Sequence, residues 1–178
     1  MHWPSTARTG TIMIRHHVVP HEPRMLVLLD TSATPYTDTS FEAAVRVAAS
    51  LAVAAFDGGH PVEVRTTGGA RAAAERGVSA RAELLDLFAE AVRDERDPGL
   101  GALPGLGQAG DGAALGIVTG AGQVMLDAVG PALRRFATVS LALIGERRDG
   151  PAPVVPGAFT VAAATSVAFA AAWNRTVR

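Results

Sequence analysis

The stretch MLVLL at Met25–Leu29 is apolar at every position, and this limits the fold more than any other feature of the chain. A strand with one wet face alternates polar and apolar residues. A run without alternation, set between Pro23 and Asp30, suits a central parallel strand buried on both faces. Further strands are read at 62–67 (VEVRTT), 114–119 (ALGIVT, another buried run), 138–146 (TVSLALIGE) and 159–164 (FTVAAA). Stretches with helical spacing lie between them. From about Ser40, the residues Phe41, Ala44, Val45, Ala48, Leu51, Ala52, Ala55 and Phe56 make a broad apolar face. Glu42, Arg46 and Ser50 recur every four residues as a narrow polar line, with Glu42 one turn from Arg46. Further helices are predicted at about 79–94, with Ser79 as N-cap, at 122–136 with a kink or restart at Gly130-Pro131, and at 166–174. Alternation of this kind predicts an α/β domain: a three-layer α/β/α, Rossmann-like arrangement around a mostly parallel sheet.

The organisation around that core is simple. Residues 25–178 read as one domain. Residues 1–24 read as an N-terminal arm, in which TGTIMIRHHVV at 9–19 is β-branched enough for a strand. DPGLGALPGLGQAGDG at 97–112 holds six Gly and two Pro and reads as a mobile loop, too short to separate two domains. Pro151 to Trp173 carries no charge, long enough for the ~20 residues of a membrane span. Its prolines, Gly157 and hydroxyl residues favour a buried strand followed by a buried helix.

Composition matters here for what it excludes. Sixteen basic and 17 acidic residues are mixed along the chain, giving a net charge of −1 and no block of one sign for a nucleic-acid surface. Every basic residue apart from histidine is Arg, as a GC-rich genome produces. There is no Cys, so disulfides, thiolate zinc sites and cysteine nucleophiles are all removed. His16 and His17 are adjacent, so on a strand they point to opposite faces and cannot both reach one zinc ion; His21 could join either, but with no Cys and His60 distant they read as exposed strand and loop residues. No Ser stands with a His and an acid in a recognisable order for nucleophilic catalysis. Gly68-Gly69 and GAGQ at 120–123 each follow a strand, but neither has a phosphate-loop spacing. The feature that does suggest chemistry is Asp30, at the end of the first buried run, with Ser32 and Thr34 two and four positions on. Ligands of parallel sheets bind beyond the carboxyl ends of the strands.

Two segments resemble a known family. HWPSTARTGTIMIR, through His2, Trp3, Thr6, Ala7, Arg8, Gly10 and Arg15, is similar to the signature of domain-of-unknown-function family fifty-eight. LVLLDTSATPY and the Ala-rich helix after it resemble that family's von Willebrand factor A-like core, and AAAWN its closing helix. The resemblance implies a factor A-like fold with no established biochemical activity. It also implies a native protein that extends upstream of Met1 and is anchored there by membrane helices, with this domain cytoplasmic. The partner it implies is a MoxR-type AAA+ ATPase. A factor A-type site holds a divalent cation with an Asp and two hydroxyls on a first loop, a Thr on a second, and usually an Asp on a third. Asp30, Ser32 and Thr34 match the first loop, Ser79 stands for the second, and Thr119 opens the third. Gly120 falls where the third-loop carboxylate belongs. The residues then leave two readings open: a degenerate site whose Asp30 and Ser32 satisfy backbone N–H groups, or a working metal site. No cofactor is expected beyond a weakly held Mg²⁺ or Ca²⁺. His2, Trp3 and Arg8 either form a binding cluster or pack the arm onto the rest of the protein. The leading expectation is a non-catalytic protein-interaction module presenting the DTSAT end of its sheet. The alternative is a divalent-metal-dependent enzyme or metal-gated ligand binder. The site is expected to be empty or water-filled, or to hold at most a weak ion completed by solvent or by a partner's carboxylate; in that last case Asp30→Ala weakens partner binding and costs little stability.

Overall fold

A computed structural model of the chain describes residues 24–75, 77–110, 112–122, 126, 130–146 and 153–176. The N-terminal arm, including the expected strand at 9–19 and the residues His2, Trp3, Arg8, His16, His17 and His21, lies outside the described residues. Six strands form one sheet: β1 (Met25–Leu29), β2 (Val62–Thr66), β3 (Arg71–Ala74), β4 (Ala114–Gly120), β5 (Thr138–Ile144) and β6 (Phe159–Ala163), in the order β3-β2-β1-β4-β5-β6. All neighbours are parallel except β2 and β3, which form an antiparallel hairpin. Helices α1 (Asp38–Asp57), α2 (Val78–Glu90) and α3 (Gly130–Leu133) lie in the connections β1–β2, β3–β4 and β4–β5, and α4 (Ser166–Thr176) follows the last strand.

The unbroken apolar runs have a direct reason. Alternate residues of β1 enter two separate cores: Val27 and Leu29 face α1, α2 and α4, while Leu26 and Leu28 face the opposite layer. β4 and β5 divide likewise, with Leu115, Ile117, Leu141 and Leu143 on one side and Val118, Ala142 and Ile144 on the other. Helix α1 lies across the middle of the first face, burying Ala44, Val47, Ala48 and Ala52. By length and composition α1 also meets the test for a membrane span, as a core helix does. It begins at Asp38, not near Ser40, because Thr37 and Ser40 close a capping box across its first turn.

Three sequence expectations change. The stretch at 97–112 is not a free loop: Gly99–Gly110 winds as a 3-10 helix and covers the second face. Leu100, Leu103 and Leu106 recur every three residues, the period of that helix, and all three are buried. The strand β3 was not foreseen, since RAAA has neither β-branched nor aromatic residues. Gly69, at φ +99°, turns the chain back and lets Thr66 N–H reach Ala70 O at 2.9 Å. Finally, residues 121, 122 and 126 are not helical, and the helix expected at 122–136 is seen from Gly130 to Leu133, starting at the Gly-Pro pair. The uncharged stretch to Trp173 is β6 followed by α4, a strand and a helix as expected.

Candidate functional site

The order of the strands reverses direction between β1 and β4, and the crevice beyond their carboxyl ends is where such sheets bind ligands. Register carries Asp30 to that point: Leu29 pairs with Val118, and Asp30 N–H donates to Val118 O at 2.9 Å. The next residue of β4, Thr119, is fully buried and donates its hydroxyl to Asp30 Oδ2 at 2.6 Å. The other carboxylate oxygen, Oδ1, accepts from Ser32 N–H at 2.9 Å and from the Ser32 hydroxyl at 2.6 Å. Asp30 is only 1% exposed. Its backbone carbonyl accepts from the Tyr36 hydroxyl at 2.8 Å.

A second carboxylate, which sequence reasoning missed, completes the cluster. Asp97 opens the segment that leads into the 3-10 helix. Its Oδ2 accepts from the hydroxyls of Thr31 at 2.5 Å and Thr67 at 2.8 Å, and its Oδ1 accepts from Gly99 N–H at 2.8 Å. Thr67 Oγ1 also lies 3.4 Å from Asp30 Oδ1 and accepts from Thr31 N–H at 2.9 Å. With its single proton committed to the shorter Asp97 contact, Thr67 links the two halves of the cluster. Gly68 N–H donates to Thr31 Oγ1 at 3.1 Å, and Asp94 N–H to Thr31 O at 3.0 Å, where Ser32 and Asp94 form a short parallel bridge. Four chain segments are therefore tied together: the loop after β1, the turn after β2, residues 94–99 and the end of β4.

Two glycines show how closely these segments approach. A Cβ at Gly99, itself at φ +58°, would stand 2.9 Å from Ser32 Oγ. A Cβ at Gly120 would stand 2.0 Å from Pro35 O, a backbone atom that cannot be displaced cheaply. The position that resemblance assigns to a third carboxylate is thus filled by the first loop folding back. Gly122 N–H donates to the same Pro35 carbonyl at 3.1 Å.

The expected site residues separate into two groups. Asp30, Ser32 and Thr119 come together. Thr34 is exposed in the turn and joins none of these hydrogen bonds. Ser79 is exposed inside the first turn of α2, whose N-cap is Gly77, without a side-chain cap bond; neither the capping role nor the second-loop role is seen. Thr67 supplies the hydroxyl that Ser79 was expected to give. Its signal in the sequence was its place one residue past a strand, and that of Asp97 an Asp-Pro-Gly ahead of the third buried run. The Gly-rich turns have no free cradle for a phosphate: Gly68, Gly69, Ala121 and Gly122 N–H groups donate to Thr31 Oγ1, Thr66 O, Ile144 O and Pro35 O.

The electrostatics are those of anions without arginine. No described ion pair involves Asp30 or Asp97. Tyr36, packed beside them, has its phenol held well above the usual tyrosine range, first by burial and then by the charges of Asp30 and Asp97. The donor set is all oxygen and of the type that suits Mg²⁺ or Ca²⁺. The fit is nevertheless poor. Asp30 already takes three internal donors, Asp97 another three, and the place of a third acid cannot hold a side chain. The arrangement is chemically a hydrogen-bonded rivet. Both oxygens of each carboxylate accept at least one hydrogen bond from the protein itself.

No family model, no curated protein and no solved structure matches the chain.

Proposed function

We propose that the chain is a non-catalytic protein-interaction module with a von Willebrand factor A-like fold, working with a MoxR-type AAA+ ATPase. The observation that carries this reading is the internal engagement of both carboxylate oxygens of Asp30, which accept from Ser32 N–H, Ser32 Oγ and Thr119 Oγ1. A general base or metal ligand needs a lone pair directed at its target, and three of the roughly four lone-pair sites of this carboxylate are spent on the protein itself. The strand order, doubly wound about β1 and β4 with the Asp-x-Ser loop at the switch point, supports the finer fold identification. The loop is not itself the docking face, because Asp30, Thr31 and Ser32 are buried. It holds rigid a rim of exposed residues, among them Thr34, Asp38, Gly69 and Arg96. A rim fixed before binding loses little conformational entropy on association.

The second reading, a divalent-metal-dependent enzyme or metal-gated binder, draws on one observation. Asp97 supplies a second carboxylate beside Asp30, joined to it through Thr67. Binding of the chain to a purified, nucleotide-free MoxR-type ATPase, measured by interferometry in EDTA, separates the two. Association in EDTA is expected. Association that appears only after Mg²⁺ is restored supports the metal-gated reading, and no association under either condition removes the proposed partner.

A further inference from the structure

Among the described residues the sheet ends at β3 with no further strand beside it, and the hydrogen-bonding groups of that edge are in known positions. Thr66 N–H bonds to Ala70 O, so 66 and 70 form a hydrogen-bonded pair of the antiparallel hairpin. Such pairs alternate, which makes Val64–Ala72 and Val62–Ala74 bonded pairs as well. Arg71 and Ala73, opposite Arg65 and Glu63, therefore turn their N–H and C=O groups away from β2. None of these four groups finds a backbone partner among the described residues.

Those groups open onto a groove of about 670 Å³ between β3, α2 and the segment that follows α2. Its floor is apolar, with Ala72, Leu87, Ala91 and Val92, and Val92 is 73% exposed. Its wall is acidic. Glu83, Asp86 and Glu90 recur at three and four residues along α2, so they share one face, and Asp94 continues the line. No described arginine pairs with any of the four. Among the described residues lining the groove the cation is Arg71, which is held by Glu63 at 3.0 Å.

We infer that β3 receives an extended segment of a partner protein, added as a further strand, with basic and apolar side chains on the face turned to α2. Each element of the surface selects for that occupant. The outward N–H and C=O groups of Arg71 and Ala73 pair with extended backbone. Leu87, Val92 and the carboxylates all lie on the α2 side of the sheet, so the side chains on that one face of the added strand, at i and i+2, meet both the apolar floor and the acidic wall. A nucleic acid is repelled by the same wall. The inference rests on the reading of the chain as an interaction module and names the chemistry of a partner segment. It does not use the Asp30 cluster, so its failure and the failure of that reading are separate results.

The test uses the whole chain and a blocked synthetic peptide of Arg-Arg-Val-Val repeats, which sets arginine and valine in turn along each face of a strand, followed by fluorescence anisotropy. Saturable binding is expected. The triple change Glu83→Gln, Asp86→Asn and Glu90→Gln, all on exposed positions, weakens it by about tenfold, as the loss of several rim charges does. Ala73→Pro removes one outward N–H at an edge position that tolerates proline and should weaken it by a similar factor. A peptide of the same composition interrupted by prolines should bind no better than the triple variant. Three results overturn the inference: no saturable binding at about 1 mM peptide, a level weaker than specific recognition uses; binding that ignores Ala73→Pro, which would be charge adsorption only; or tighter binding by a peptide of residues 9–19, which would make this chain's own arm the occupant.

Discussion

Replacing Asp30 by Ala and by Asn separates a hydrogen-bonded rivet from an ionic site. In Asp30→Ala, Ser32 N–H, Ser32 Oγ and Thr119 Oγ1 lose their acceptor in a place with 1% exposure. A bond to a charged acceptor contributes ~1.5–3 kcal/mol net, and a stranded buried donor costs ~1–3 kcal/mol. Hydroxyls can turn to new partners and part of the loss is shared, so we expect about 3–5 kcal/mol in total. At ~2–4 °C per kcal/mol for a chain of this size, the melting temperature falls by roughly 6–20 °C. Asp30→Asn keeps the shape and the acceptor at Oδ1, so both Ser32 bonds survive. Its amide replaces Oδ2, and the Thr119 hydroxyl turns to accept where it had donated. That exchange costs about 1–2 kcal/mol, or a few degrees. Urea and thermal unfolding of the three proteins in EDTA give the comparison directly. If Asn costs as much as Ala, the charge itself is essential and the rivet reasoning fails. The cost of Ala also replaces the expectation, drawn from sequence, that this residue could be removed almost freely.

Gly120→Ala should destabilise by more than about 3 kcal/mol, because its Cβ meets Pro35 O at 2.0 Å and the loop must move. Gly120→Asp should restore no metal affinity, and calorimetry showing Mg²⁺ binding to it would contradict the steric argument. Tyr36 gives a pH prediction in a chain with one Tyr, no Cys and no Lys. Its folded-state phenol ionises well above its unfolded value near 10, so its contribution is complete below about pH 10 and is lost as pH rises beyond it. Stability should fall in that alkaline window, phenolate absorbance should appear only with unfolding, and Tyr36→Phe should flatten the limb at a cost of about 1 kcal/mol from the bond to Asp30 O.

The sheet was legible because burial on two faces writes itself into composition. MLVLL, ALGIVT and SLALI had no alternation to give and each proved a central parallel strand. β3 left no such mark, since an edge strand of Ala and Arg is held by the Gly69 turn and its pairing with β2. The Gly-rich segment concealed its order because its signal was three leucines at a spacing of three, easily lost among six glycines. At the site, Asp30, Ser32 and Thr119 were legible from strand ends and register. Asp97 and Thr67 were not, because they reach the cluster through tertiary approach of the segment before the 3-10 helix and the turn after β2. Ser79 shows the opposite error: a hydroxyl at a helix start resembles a cap or ligand, yet Gly77, at φ +105°, made the turn into α2.

Titration of the EDTA-treated chain with Mg²⁺, Mn²⁺ and Ca²⁺, followed by thermal shift and calorimetry, is the most direct test of the claim that the Asp30–Asp97 cluster is complete in itself. A ligand at a hundredfold its dissociation constant stabilises by about 2.7 kcal/mol, roughly 5–11 °C here. The account predicts no shift and no heat for any of the three ions at millimolar concentration. A shift of that size with micromolar affinity, lost in Asp30→Asn, would contradict it and place a metal at the centre of the protein's function.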